Sequence, residues 1–301
     1  MDKMTVRDAN LTGQRVLVRV DFNVPLNGGQ ITDDTRIRAA VPTIQYILEQ
    51  KPKAVILMSH LGRPKGERKP DMSLQPTAPA LSALLGVEVA FAEDCVGEQA
   101  EQAIAGLPEG GVIILENTRF HKGETKNDAA LAEQLAKHGD VFVNDAFGTA
   151  HRAHASNVGV SERMTAVAGL LMEKEITYLA NAVENPKRPF FAILGGAKVS
   201  DKIDVIKALL NKADKVLIGG GMANTFFAAQ GYAMGDSLVE AEAIDTAKAL
   251  LAEGKDQLIL PSDGIIADAF NNEANRRTIA VSDGVPDGWR ILDIGPETLQ
   301  T

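Results

Sequence analysis

The chain has a single cysteine, Cys95, among 301 residues. No intrachain disulfide is possible, which fits a reducing cytoplasm. Long apolar runs are missing too. They stay near about six residues, far short of the roughly 20 that a membrane-spanning helix needs. The start, Met1-Asp2-Lys3-Met4-Thr5, has no apolar h-region, so no secretory signal is read there. Positive charge is in the minority: 31 Lys and Arg against 40 Asp and Glu give a formal net charge of -9. That balance argues against nucleic-acid binding, which wants a basic face. It leaves a small anionic ligand open, because the local field in a cleft outweighs net charge. There is no fixed-period repeat and no low-complexity tract. Two phosphate-binding fingerprints are absent as well. G-x-x-x-x-G-K-[ST] does not occur, and Gly219-Gly220-Gly221 fails G-x-G-x-x-G because Asn224 holds the final glycine's place.

What is present is alternation. Strands are read over 15–22, 54–58, 87–91, 112–115 and 141–144, with helices over 33–49, 74–85, 98–105 and 128–138. Thr32 or Asp33 is the expected cap of the first helix, and Pro42 inside it predicts a kink or a delayed start. Residues 62–73 form a polar loop. A helix over 172–183 ends in Asn185-Pro186-Lys187-Arg188-Pro189, a stop signal and a domain boundary. Alternation then restarts, with strands over 190–194, 216–218, 257–260, 278–281 and 291–294 and helices over 201–210, 222–229 and 240–252. The length exceeds what one compact core accommodates. The fold class is therefore α/β, with two doubly wound parallel-sheet domains. Each is Rossmann-like, with three α/β/α layers, and the second is incomplete. The expected divisions are 1–171, a hinge helix and linker over 172–186, and 187–301.

Four strands of the first half are each followed by a loop carrying arginine, histidine or both. These are Asp21-Phe22-Asn23 leading to Arg36, Ser59-His60-Leu61-Gly62-Arg63, Arg119-Phe120-His121, and His151-Arg152-Ala153-His154. In a parallel sheet such loops share one edge, the edge where these folds bind ligands. The pattern describes a pocket for a small polyanion, with a phosphorylated metabolite the natural candidate. Taken singly, each segment has a plainer reading. Arg36 pairs with Asp33 on the helix surface, the His60 run is a solvated turn, and Asp21 and Asn23 close a turn. Arginine nonetheless matches phosphate with two parallel hydrogen bonds. His151 and His154 suggest zinc, but neither a third ligand nor a frame accompanies them. In the second half, Gly195-Gly196-Ala197-Lys198 and Gly219-Gly220-Gly221 each follow a strand, where backbone amides meet phosphate; tight turns explain them equally.

Together these segments resemble the phosphoglycerate kinase family. The resemblance runs through Val20-Asp21-Phe22-Asn23-Val24-Pro25, Ser59-His60-Leu61-Gly62-Arg63-Pro64, Glu116-Asn117-Thr118-Arg119-Phe120 and Asn144-Asp145-Ala146-Phe147-Gly148-Thr149-Ala150-His151-Arg152-Ala153-His154. It continues through Leu194-Gly195-Gly196-Ala197-Lys198-Val199-Ser200-Asp201-Lys202 and Gly219-Gly220-Gly221-Met222. It implies two domains facing across a cleft that a hinge closes. The first would hold 3-phosphoglycerate or 1,3-bisphosphoglycerate, and the second ATP or ADP with Mg2+. By motif, Asp21, Asn23, Arg36, His60, Arg63, Arg119 and Arg152 match phosphoglycerate-binding positions, with Ser59, Gly62 and His151 beside them. Lys198 and Lys202 match the lysines that meet nucleotide phosphates, and Gly196 and Gly220 the adenine-side pocket. The implied chemistry is in-line phosphoryl transfer between an acyl phosphate and ADP, with Arg36 and Lys198 cancelling charge. The family's pattern continues past Thr301 with further strands and helices, including the loop whose Asp holds magnesium. No magnesium ligand is therefore expected in this chain, and its own turnover is in question. The implied protein is a cytoplasmic monomer. The competing reading is a non-catalytic phosphoglycerate-binding protein or inactive fragment; a dinucleotide-dependent dehydrogenase is set aside for want of its fingerprint.

Overall fold

A computed structural model describes residues 3–300; Met1, Asp2 and Thr301, including the first two residues of the leader reading, lie outside the described residues. The chain divides into two compact units, Met1–Ala180 and Asn181–Thr301.

In the first unit the elements run β1 (Arg15–Arg19), β2 (Leu26–Asn27), β3 (Gln30–Ile31), α1 (Thr35–Glu49), β4 (Ala54–Met58), α2 (Thr77–Leu85), β5 (Val89–Ala92), α3 (Gly97–Ala105), β6 (Gly111–Leu115), α4 (Ala129–Ala136), β7 (Val141–Asn144) and β8 (Ala166–Ala168). Helix α5 (Leu170–Glu184) follows, and the division between the units falls within it. Six strands form one parallel sheet in the order β5-β6-β4-β1-β7-β8. Every residue of β4 is buried, as a central parallel strand covered on both faces requires. Alternate side chains feed two apolar layers. Val16, Val18, Val55, Leu57, Val112 and Ile114 join Ile37 and Ile44 of α1 on one face. Leu17, Ile56, Ile113 and Phe142 join Leu131 and Leu135 of α4 on the other. The winding reverses at β1: the chain steps to β4 on one side and later places β7 on the other. Ligands bind at such a switch point, at the strands' C-terminal edge.

Two local expectations need correction. The cap of α1 is Asp34, without a side-chain cap bond, while Asp33 accepts from the Thr35 amide at 2.8 Å. Pro42 neither delays nor divides α1, which runs unbroken through it. Proline leaves the Arg38 carbonyl without its intrahelical donor, but Pro42 and Arg38 are both exposed, so that carbonyl faces solvent. Ile37, Ile44 and Ile47 anchor the opposite face.

The second unit contains β9 (Phe191–Gly195), α6 (Ile203–Leu210), β10 (Lys215–Gly219), α7 (Gly221–Ala229), α8 (Ile244–Gly254), β11 (Leu258–Ile259), β12 (Asp263–Ala267), β13 (Arg276–Ala280) and β14 (Arg290–Ile294). Strands β11-β10-β9 form a parallel sheet. The segments read at 278–281 and 291–294 do not extend it. They are β13 and β14, both antiparallel to β12, a strand the sequence reading passed over. Among the described residues, no helix is long and apolar enough to cross a membrane.

Candidate functional site

Four loops leave β1, β4, β6 and β7 at the same edge of the large sheet, and hydrogen bonds tie them together. Arg36, in the first turn of α1, donates to Asp21 Oδ2 rather than to Asp33. Asn23 Oδ1 accepts from the Gly62 amide at 2.8 Å, joining the β1 and β4 loops. Arg119 Nη1 donates to the Gly62 carbonyl at 2.8 Å, adding the β6 loop. Gly62 has φ +62°, and a Cβ there would lie 2.9 Å from Met72 Sδ; the position suits a residue without one. Ser59 is buried, and its Oγ accepts from the Phe22 amide at 2.8 Å, so it braces the β1 loop. Asn117 fixes Arg119 from behind: its Oδ1 accepts from the Arg119 amide at 3.0 Å, while its Nδ2 donates to Leu61 and Met72 carbonyls. In the β7 loop, exposed Arg152 donates to His151 Nε2 at 3.0 Å.

Beneath this surface lies a charged network that the loop motifs did not reveal. Arg19, at the end of β1, is fully buried. Its Nε donates to Ser156 Oγ at 2.7 Å, and its Nη2 lies 3.2 Å from His60 Nδ1. Glu124, also fully buried, accepts from Ser156 Oγ at 2.6 Å and from the Ser156 amide at 3.0 Å. It stands 3.9 Å from Arg19 Nη2 and 3.7 Å from His154 Nδ1. Burial first, then the positive charges of Arg19 and Arg119, push His60 down to about 2. His60 is thus a neutral ring, and the positive field expected of its loop comes from arginine instead. Burial also lowers His154 and Arg119.

Arg63, Arg119 and Arg152 line one cavity of about 430 Å³, together with Lys65, Lys122 and Lys126. No carboxylate lines it. Arg119 is buried, and its Nε meets no hydrogen-bond partner among the described residues. A buried guanidinium donor of this kind suits an anionic oxygen. Asp21, Asn23, Arg36, His60 and His151 do not line the cavity; Gly62, between Asn23 and Arg119, links the first of these to it. The three lysines escaped the sequence reading, although each lies within seven residues of an identified arginine, as Arg63, Lys65, Arg119, Lys122 and Lys126 stand in the chain.

In the second unit the turns after β9 and β10 touch. The Met222 amide donates to the Gly196 carbonyl at 2.7 Å. Gly220 has φ +68°, and a Cβ there would lie 3.0 Å from the Gly196 amide nitrogen. A smaller cavity, about 70 Å³, lies between Gly220, Asn224, Phe227, Asp263 and β14. Lys198 is exposed and Lys202 half-buried, and neither lines that cavity. Two carboxylates nearby are committed elsewhere. Asp263 accepts from the Glu297 amide at 2.9 Å and from Thr298 Oγ1 at 2.6 Å, Glu240 accepts from Ser200, and Asp293, which also lines the cavity, accepts from the Ile294 amide at 2.8 Å through Oδ1 alone. Asp263 and Glu240 do not fit a protein-held magnesium ion.

A family model described as "Phosphoglycerate kinase" matches residues 6–301. The chain is similar to "Phosphoglycerate kinase" of Thermosipho africanus, 54% identical over 303 residues, covering 100% of this chain and 75% of that protein. It is 57% identical over 305 residues to "Phosphoglycerate kinase" of Roseiflexus sp., with 100% and 77% covered. Among solved structures, phosphoglycerate kinase from Coxiella burnetii superposes with a TM-score of 0.85 at 40% identity, covering 99% of this chain and 75% of that one.

Proposed function

The chain belongs to the phosphoglycerate kinase family, and from that premise we propose which of its residues carry which part of the reaction. The function is reversible phosphoryl transfer between 1,3-bisphosphoglycerate and ADP, giving 3-phosphoglycerate and ATP. The observation that carries the proposal is the cavity lined by three guanidiniums and three lysines and by no carboxylate. Arg63, Arg119 and Arg152 take the phosphate of phosphoglycerate as paired hydrogen-bond donors. Asp21, Asn23, Arg36 and His60 receive the glycerate end. His60, being neutral, accepts from Arg19 on Nδ1 and so offers its Nε2–H as a donor there rather than a charge. Ser59, Gly62 and His151 hold these groups in place. Gly196 and Gly220 give the nucleotide a close-packed backbone surface, and Lys198 and Lys202 meet its phosphates.

In-line transfer asks the protein for position and for charge at the equatorial oxygens. Arg36 and Lys198 supply that charge. Mg2+ bound with the nucleotide would cancel charge on its phosphates, and Asp263 and Glu240, whose oxygens already accept from Glu297, Thr298 and Ser200, would not be the residues to hold it. The enzyme works in the cytoplasm as a monomer. Calorimetric titration with 3-phosphoglycerate tests the assignment. Arg119→Met should weaken binding at least about tenfold, the loss expected for hydrogen bonds to a charged group, with an unchanged circular-dichroism spectrum. Equal affinity in the variant would remove Arg119, and with it the cavity, from the site.

A further inference from the structure

Asp94, Cys95 and His121 take no part in the bonds that join the four loops, yet their ligand atoms gather in one place. A carboxylate oxygen, the Cys95 Sγ and a His121 ring nitrogen all lie within 4.8 Å of one another. Two loops contribute: Asp94 and Cys95 follow β5, and His121 ends the short turn after β6. His121 Nε2 is 2.7 Å from Asp94 Oδ1. We propose that Asp94, Cys95 and His121 form a three-ligand site for a divalent transition metal of the zinc type.

The donor set is one thiol sulfur, one imidazole nitrogen and one carboxylate oxygen, which zinc takes in tetrahedral sites. Metal–ligand bonds of about 2.0–2.3 Å place tetrahedral ligand atoms roughly 3.3–3.7 Å apart. The three side chains reach that spacing by shifts on the order of 1 Å, within rotamer adjustment. Asp94 also keeps its structural work. Its Oδ1 accepts from the Cys95 amide at 2.6 Å, while Oδ2 has no hydrogen bond among the described residues. Burial first, then the charges of Asp94, Glu124 and Glu116, hold the Cys95 thiol protonated in the protein alone. His121 also lines the cavity shared by Arg63, Lys65, Arg119, Lys122, Lys126 and Arg152, so the Asp94 carboxylate and a Cys95 thiolate have to hold the ion against that positive field. Side-chain exposures of 32% for His121 and 33% for Asp94 give the ion a route from solvent and leave its fourth position to water. On binding, a sulfur–metal bond replaces the sulfur–hydrogen bond, one proton leaves to solvent, and the His121 ring proton moves to Nδ1. No electrons are transferred.

Cys95 is the only cysteine in the sequence, so a thiolate signal from bound metal has one assignment. The test titrates the 301-residue protein, first freed of metal by chelation, with Co2+ and Zn2+. Co2+ should produce a near-ultraviolet thiolate-to-cobalt absorption that saturates at one ion per chain, and Zn2+ should abolish it by displacement. His121→Ala and Asp94→Asn should each weaken Zn2+ binding at least tenfold. Asp94→Asn keeps the oxygen that accepts from the Cys95 amide, so a folding defect does not imitate the loss. Cys95→Ser should remove the absorption. Absence of the absorption in the wild-type protein overturns the proposal, as does Zn2+ affinity within twofold of wild type in both His121→Ala and Asp94→Asn.

Discussion

Replacing Glu124 with glutamine should destabilise the first unit by about 3–5 kcal/mol, the cost of removing one partner from a buried ion pair. Glu124 and Arg19 are both fully buried, and their closest charged atoms are 3.9 Å apart. At an effective dielectric of about 20, that separation corresponds to about 4 kcal/mol of attraction. The amide keeps one oxygen for Ser156 but turns an NH2 toward the Arg19 guanidinium or His154, exchanging attraction for repulsion. A urea slope of about 2 kcal/mol per molar then places the midpoint about 2 M lower. Two probes assign the loss. Trp289 is the only tryptophan and lies in the second unit, so its fluorescence follows that unit, whereas far-ultraviolet circular dichroism follows both. The shift should appear in the dichroism and not in the fluorescence. A second variant, Arg19→Met with Glu124→Leu, removes both charges and should be more stable than Glu124→Gln alone, because no unpaired buried charge remains. A loss under about 1 kcal/mol for Glu124→Gln is the value expected of a solvent-screened surface pair, and would refute this account of the network.

Arg36→Ala should lower kcat on the order of a hundredfold or more while leaving the fold intact, since Arg36 is exposed and its side chain bonds, among the described residues, only to Asp21. Arg36→Lys should also be slow, because a point charge does not reproduce the planar fork; near wild-type kcat in both would remove Arg36 from the reacting centre. Affinity for 3-phosphoglycerate should fall as chloride rises, because the screening length shrinks from ~30 Å at ~0.01 M to ~3 Å at ~1 M salt, and a salt-independent dissociation constant would mean that the cationic loops do not meet the ligand. Burial raises the Asp145 carboxyl from 3.8 to about 6 against the bonds it accepts from Leu171 and Met172 amides. A carboxyl with a raised folded pKa stabilises most below its unfolded value and loses that contribution as pH rises through the folded one. Wild-type stability relative to Asp145→Asn should therefore fall between about pH 4 and pH 6, by up to about 3 kcal/mol, and urea midpoints across that range that stay parallel would contradict it.

Most elements were legible because burial on both faces leaves a strong mark. Ala54–Met58 is wholly apolar and Val141–Asn144 apolar up to its last residue, and their bounds match the sequence reading residue for residue. Strand β12 was not legible. Pro261-Ser262-Asp263-Gly264 reads as a turn, with only Ile265 and Ile266 as strand formers behind it. Its polar start has a tertiary reason: the Asp263 side chain caps the amides of Glu297 and Thr298. Strand β8 escaped similarly, since Ala166-Val167-Ala168 is short and small. That β13 and β14 run antiparallel to β12 follows from pairing between distant segments, and no local period carries that information.

The candidate site was legible where a residue follows a strand, and illegible where its state depends on what lies underneath. Arg63, Arg119 and Arg152 come from three loops 33 or more residues apart, and strand order alone brings them to one cavity. His60 shows the other case. Its sequence context offers a titratable cation, yet its own burial, and after that a wholly buried arginine from β1, 41 residues earlier, set it neutral. The clue was present in Val16-Leu17-Val18-Arg19-Val20, where one charge interrupts a run that must be buried. A charge in such a place requires a partner of opposite sign. Glu124 is that partner, and it stands two residues past Lys122, in a stretch that reads as solvated turn. The buried pair costs desolvation energy, so its use must lie elsewhere than in stability. Through Ser156 and His60 it fixes two of the loops that carry the proposed anion site while keeping its own charge nearly balanced. The net positive field at the surface is therefore left to Arg63, Arg119, Arg152 and the lysines of the cavity, where the proposed phosphate would meet it.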